Sequence, residues 1–123
     1  MNSSLSILFS LLVGYLIGSF LPAYFITKHL KGVDIRDIGT KNAGTTNVKR
    51  NVGFLPAAIT ALFDTTKGLI AIAIAMHIFN APEIAAYASG FAAILGHIFP
   101  FYLKFRGGRG AATATGMLIV FLI

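Results

Sequence analysis

"LSILFSLLVGYLIGSFLPAYFI", residues 5–26, runs for 22 positions without one charged side chain. As an α-helix rising about 1.5 Å per residue it reaches about 33 Å, enough to cross a hydrocarbon layer about 30 Å thick. A secretory leader would start with basic residues and carry an apolar region of only about 7–15 residues. This chain starts MNSSLSI and its run is longer, so the stretch reads as an uncleaved transmembrane helix over about residues 5–27. The composition agrees. Of 123 residues 56% are hydrophobic and 11% charged, against about 25% charged in ordinary soluble domains.

Outward from this run, polar and apolar segments alternate. Residues 28–51 are polar and hold Lys28, Lys31, Arg36, Lys41, Lys49 and Arg50. Residues 52–79 are mostly apolar, interrupted by Asp64 and Lys67, and a short link, NAPE (80–83), has no positive charge. A third apolar run covers 84–103, a basic glycine loop 104–110, and a last apolar run 111–123. The expected fold is all-α: one membrane domain over 1–123, with helices over about 5–27, 52–79, 84–103 and 111–123. It reads as a multi-pass bundle of about four transmembrane or partial transmembrane helices. The last run has 13 residues, about 20 Å as a helix and too short to span alone. Either a partner chain completes it or the sequence is a fragment.

Nine of the ten Lys and Arg lie in the loops 28–51 and 104–110. Counting spans puts both loops on one side of the membrane. The positive-inside bias makes that side cytoplasmic and leaves the N-terminus outside. The net charge of +6 is thus explained by topology, and no free-standing basic domain exists to hold nucleic acid. With no cysteine, disulfides, thiolate catalysis and sulfur-ligated metals are excluded. His29, His77 and His97 have no metal-ligand spacing, so neither metal nor cofactor is expected.

The first loop reads GVDIRDIGTKNAGTTNVKR (32–50). Gly39 and Gly44 permit a tightly folded backbone whose N–H groups can converge on an anion. Thr40, Asn42, Thr45, Thr46 and Asn47 add neutral hydrogen-bonding groups, and Arg36 and Arg50 add planar forks suited to phosphate. The bland reading is a solvated loop carrying topology charges. The second loop sets Lys104, Arg106 and Arg109 around Gly107, Gly108 and Gly110, ahead of a helix whose N-terminus favours an anion. It matches neither G-x-x-x-x-G-K-[ST] nor G-x-G-x-x-G, and a flexible basic turn is the competing reading. Asp64 and Lys67 stand one helical turn apart. They either pair on one face at membrane depth or mark a helix start capped by Asp64, with Lys67 near the surface. His97 reads as a packing or hydrogen-bonding residue. Gly14 and Gly18 form a GxxxG helix-packing notch.

Taken together, GSFLP (18–22), the first loop, DTTKG (64–68) and GHIFPFYLKFRGGRGAATATG (96–116) resemble the bacterial acyl-phosphate:glycerol-3-phosphate acyltransferases. These are small multi-pass inner-membrane enzymes of phospholipid synthesis. The resemblance spans nearly the whole chain in order. It implies acyl transfer from an acyl phosphate to the 1-hydroxyl of glycerol 3-phosphate, giving lysophosphatidate and phosphate, with the site on the cytoplasmic face. By position, Thr40 stands for the family's first-loop serine, Arg50 for its essential arginine, and Arg109 and Arg106 for lysines of its glycine loop. These join Gly39, Asn42, Gly44, Thr46, Asn47, Gly107, Gly108 and Gly110 as the expected site, with Asp64, Lys67 and His97 in support. The family also has a functional His and Asn in a later segment, before which this chain ends, so the chain is expected to be an N-terminal part. HLKGVD (29–34) fits the H-x-x-x-x-D pattern of another acyltransferase superfamily, but its flanks do not. The competing classes are a non-catalytic anion-binding membrane subunit, a truncated inactive homologue, and a transporter component.

Overall fold

The computed structural model describes residues 2–122, and among them every regular element is helical. The first apolar run is not one helix but two, α1 (Ser3–Ser19) and α2 (Pro22–Lys31). Pro22 is the cause: it has no N–H to donate, and it pushes the residue before it out of helical geometry. Leu21 accordingly sits at φ −111°, ψ 96°. α2 ends on Gly32 at φ 70°, a left-handed cap that glycine adopts without strain.

The expected loop 28–51 is largely structured. It holds the last turn of α2, a 3-10 turn (Ile35–Asp37) and the short helix α3 (Thr45–Asn51). α4 covers Phe54–His77, two residues shorter at each end than expected from 52–79. α5 covers Glu83–Ile98; the expected helix to 103 stops early because Phe99 precedes Pro100, after which Phe101–Leu103 make a 3-10 turn. α6 covers Ala111–Leu122, and Ile123, the end of the expected last helix, lies outside the described residues, as does Met1. Three helical segments, Ser3–Lys31, Phe54–His77 and Glu83–Leu103, are long and apolar enough to cross a membrane.

The bundle is packed small-side-in. α1 buries Ser6, Ser10, Gly14 and Gly18, four residues apart along one face, against α5. A Cβ built on Gly18 would run into the Ala93 carbonyl, and one on Gly14 into that of Ser89. The GxxxG notch therefore does what its spacing suggested: it lets two backbones meet. The buried hydroxyls close on their own helices, Ser10 Oγ donating to Ser6 O at 2.6 Å and Ser89 Oγ to Ala86 O at 2.5 Å. Large apolar side chains such as Leu8, Leu62 and Phe91 point outward instead. A water-soluble domain would bury them, so this arrangement identifies an all-α membrane helix bundle. Both basic loops lie at one end of it, joined by Arg36, whose Nη1 donates to Leu103 O at 2.9 Å and Arg106 O at 2.8 Å.

Candidate functional site

The first loop is built around Asn47, which is buried at the start of α3. Its Nδ2 lies 3.0 Å from Ile35 O, 3.0 Å from Ile38 O and 2.9 Å from Asn42 O. Its Oδ1 accepts from Thr40 N at 3.3 Å and from Asn51 Nδ2 at 2.8 Å. Gly39, at φ 56°, passes so close that a Cβ there would strike Asn47 Oδ1. Asp34 Oδ2 pairs with Arg36 Nη2 at 2.6 Å. That hydrogen bond holds the Asp34 carboxyl below its ordinary pKa, against the opposing effect of burial. Arg36 is thus spent on Asp34 and on the second loop's carbonyls. Contrary to its sequence reading, it is no free phosphate fork.

The second loop folds back over the end of α5. Lys104 and Phe105 adopt left-handed φ of 59° and 58° to reverse the chain. Gly107 N then donates to Ile98 O at 2.9 Å and Gly108 N to His97 O at 3.0 Å. A Cβ on Gly107 would strike the His97 carbonyl, and one on Gly108 the His97 ring. These two glycines permit close backbone approach, and their N–H groups are used within the protein rather than offered to an anion.

Between the loops lies a cleft of about 350 Å³. Thr40, Asn42, Gly44, Thr45 and Thr46 line one wall, Arg109, Gly110, Ala111 and Ala112 the other, and Asp64 and His97 complete the lining. The first turn of α6 opens into it, with backbone N–H groups that have no intrahelical partner and the positive end of the helix dipole. Thr45 Oγ1 is buried with no hydrogen-bond partner. Below, Lys67 is fully buried in the interior of α4. Its Nζ donates to Gly18 O at 2.9 Å and Phe20 O at 3.3 Å, carbonyls left free by the break after α1, and meets His97 Nδ1 at 2.6 Å. Asp64 Oδ1, at 3.0 Å from Nζ, supplies the counter-charge without a directed hydrogen bond. The paired reading of Asp64 and Lys67 is therefore the one the fold adopts, and no helix starts there. Thr113 Oγ1 donates to Asp64 O at 2.8 Å and ties α6 to α4.

Of the expected site residues, the fold brings Thr40, Asn42, Gly44, Thr46, Asp64, His97, Arg109 and Gly110 to the cleft. Gly39, Asn47, Gly107, Gly108 and Lys67 support it from behind. Arg50 is exposed on α3, one helical turn from Thr46 on the same face. Arg106 is separated from Arg109 by Gly107 and Gly108, whose N–H groups are pinned to the end of α5. It lines a second cleft of about 500 Å³ with Tyr24, Arg36, Tyr102, Leu103 and Lys104, and its Nη2 lies 3.6 Å from Asp37. Of the lining residues, Thr45 was read only as a hydrogen-bonding group of the first loop, Ala111 only as the start of a helix favouring an anion, and Ala112 not at all. The alanines contribute backbone, which side-chain chemistry does not flag; the helix start after Gly110 was the signal that pointed to them. Among the described residues, no three His, Cys, Asp or Glu side chains group as a metal ion requires.

Fold and site together define an integral-membrane helix bundle with a polar, electropositive cleft at the end where its basic loops meet. The model of the family "Glycerol-3-phosphate acyltransferase" matches residues 8–123, and the chain belongs to that family. It is 46% identical over 107 residues to a glycerol-3-phosphate acyltransferase of Prochlorococcus marinus (strain MIT 9312), covering 87% of this chain and 54% of that protein. It is 41% identical over 113 residues to one from Wolbachia pipientis wMel, covering 92% and 58%. The chain thus spans little more than half the length of these curated relatives. A crystal structure of PlsY (YgiH), an integral membrane glycerol 3-phosphate acyltransferase, in its glycerol 3-phosphate form superposes with a TM-score of 0.81 at 37% identity, covering 96% of this chain and 63% of that one. Its lysophosphatidic acid form gives 0.78 at 38% identity, covering 93% and 56%.

Proposed function

We propose that the protein transfers an acyl group from an acyl phosphate to the 1-hydroxyl of glycerol 3-phosphate, releasing lysophosphatidate and phosphate. The observation that carries this reading is the cleft itself. Thr40, Asn42 and Thr46 from one basic loop face Arg109 and the α6 N-terminus from the other, within a fold that matches a glycerol 3-phosphate form of PlsY. Arg109 supplies the bidentate fork for a phosphate, and the α6 N-terminus adds uncharged donors. Arg50, on the same face of α3 as Thr46, is a second cation available to the substrate, and Thr40 orients a substrate oxygen.

The chemistry asks little of the protein. A mixed carboxylic–phosphoric anhydride is already activated. The glycerol oxygen attacks the acyl carbon, the bond from that carbon to the phosphate oxygen breaks, and phosphate leaves with the electron pair. A substrate phosphate oxygen takes the hydroxyl proton, so no side-chain base is needed. Positioning and charge stabilisation carry the rate. The polar heads occupy the cleft while the acyl tail stays among the outward-facing apolar side chains, in the bilayer.

We place the protein in the bacterial inner membrane with the cleft facing the cytoplasm, on the strength of the basic loops at one end. Because the chain has no cysteine, a single Lys104→Cys variant tests this: an impermeant thiol reagent should label it in inverted vesicles and not in intact cells. For the reaction, protein in lipid is supplied with acyl phosphate and glycerol 3-phosphate. Lysophosphatidate and phosphate should form in equal amounts. None from the chain, nor from any longer reading frame containing it, would sink the enzyme reading.

A further inference from the structure

We propose that His97 is a substrate-binding donor: Lys67 holds its Nδ1 as an acceptor, leaving the proton on Nε2 to be donated to an oxygen of a phosphate ester in the cleft. The argument begins with Lys67. An ammonium group has donors only. Its Nζ directs hydrogens to Gly18 O and Phe20 O and lies 2.6 Å from His97 Nδ1. Nδ1 must therefore present its lone pair. The opposite tautomer would need Nδ1–H to find another acceptor, and Asp64 Oδ1, at 3.7 Å, is beyond hydrogen-bond distance. A proton on both nitrogens would set an N–H against the ammonium. The ring is neutral, with its hydrogen on Nε2.

His97 is 3% exposed and lines the cleft. Nε2 has no hydrogen-bond partner among the described residues, yet it is not among the sealed polar atoms that lack one. Its remaining surface is therefore open to the cleft. Gly108 keeps it so, since a Cβ there would strike Nε2. A fixed N–H in an electropositive cleft suits an anionic oxygen acceptor. A neutral donor also binds without adding a further charge beside Lys67.

The inference rests on the phosphate reading of the cleft, and the experiment separates the two. Glycerol 3-phosphate binding is measured on the protein in lipid nanodiscs for wild type, His97→Gln and His97→Asn. The Asn amide can satisfy Lys67 but does not reach the cleft; the Gln amide reaches the position of Nε2. His97→Gln should stay within about threefold of wild type and His97→Asn should bind about tenfold more weakly, with similar melting temperatures. A purely structural role as the partner of Lys67 predicts the reverse order. In ¹⁵N spectra of wild type, Nδ1 should appear unprotonated and Nε2 protonated, and only Nε2 should shift as glycerol 3-phosphate is added. Wild-type affinity in His97→Asn, or a protonated Nδ1, overturns the inference alone. If both variants weaken, the spectrum decides: a shifted Nε2 upholds it and an unmoved one overturns it. No binding by wild type overturns the phosphate reading and this inference together.

Discussion

Arg36 and Arg109 look alike in the sequence, each an arginine in a glycine-containing basic loop, but the fold uses them oppositely. Arg36 is paired with Asp34 at 2.6 Å and tied to two carbonyls of the other loop. Arg109 is exposed on the wall of the cleft and makes no ion pair among the described residues. The same division runs through the neutral residues. Asn47 is consumed in holding its loop together, whereas Asn42 and Thr46 are turned to the cleft. Charge density in a loop thus measures two things at once, the cations that build the site and those left over to bind.

That division predicts that scaffold residues govern stability and cleft residues govern binding. The largest effect should come from Lys67→Met, which strands Asp64 in the bundle without its counter-charge. Removing one partner of a buried pair costs about 3–5 kcal/mol, seen as a lowered unfolding midpoint in detergent. Asp64→Asn combined with Lys67→Met should recover part of it; a double variant no better than the single would show that the pair is not a unit. Next is Asn47→Ala, which orphans the carbonyls of Ile35 and Asn42, while Ile38 O keeps Lys41 N at 2.8 Å. A loss of about 1–3 kcal/mol is expected, with faster proteolysis inside 33–44. Protection unchanged from wild type would mean the loop is organised some other way.

The smallest effect belongs to Asp34. Arg36 depresses its folded-state pKa, so its contribution is complete above the unfolded value of about 3.9 and fades as pH falls through the lower folded value. Asp34→Asn should therefore be less stable than wild type at neutral pH, by about 1 kcal/mol, and indistinguishable from it in strong acid. A difference that grew on acidification would contradict the assignment.

The membrane fold was legible because hydrocarbon thickness imposes a run length that composition reveals directly. The break at Pro22 was equally visible in FLP, yet an uncharged run tends to be read as one helix. The buried Asp64–Lys67 pair was foreseen as one of two readings, since spacing of three allows contact but does not require it. Its three further partners, His97 and the free carbonyls of Gly18 and Phe20, lie 30, 49 and 47 positions from Lys67 in sequence, and only tertiary packing brings them there. Gly107 and Gly108 invited a phosphate cradle by analogy with other glycine loops. Their actual constraint, contact with the α5 terminus, depends on where the chain turns after Pro100. Arg106 and Arg109 were grouped for the same reason, though the pinned glycines between them send them to different clefts.

The central claim is that the cleft between the basic loops binds phosphate through the residues left free of the scaffold. The direct measurement is equilibrium binding of glycerol 3-phosphate to wild type and Arg109→Ala, with melting temperatures taken in parallel. The account predicts saturable binding to wild type, weakened about tenfold or more in Arg109→Ala, at a melting temperature unchanged from wild type. Equal affinity in the two proteins would contradict it.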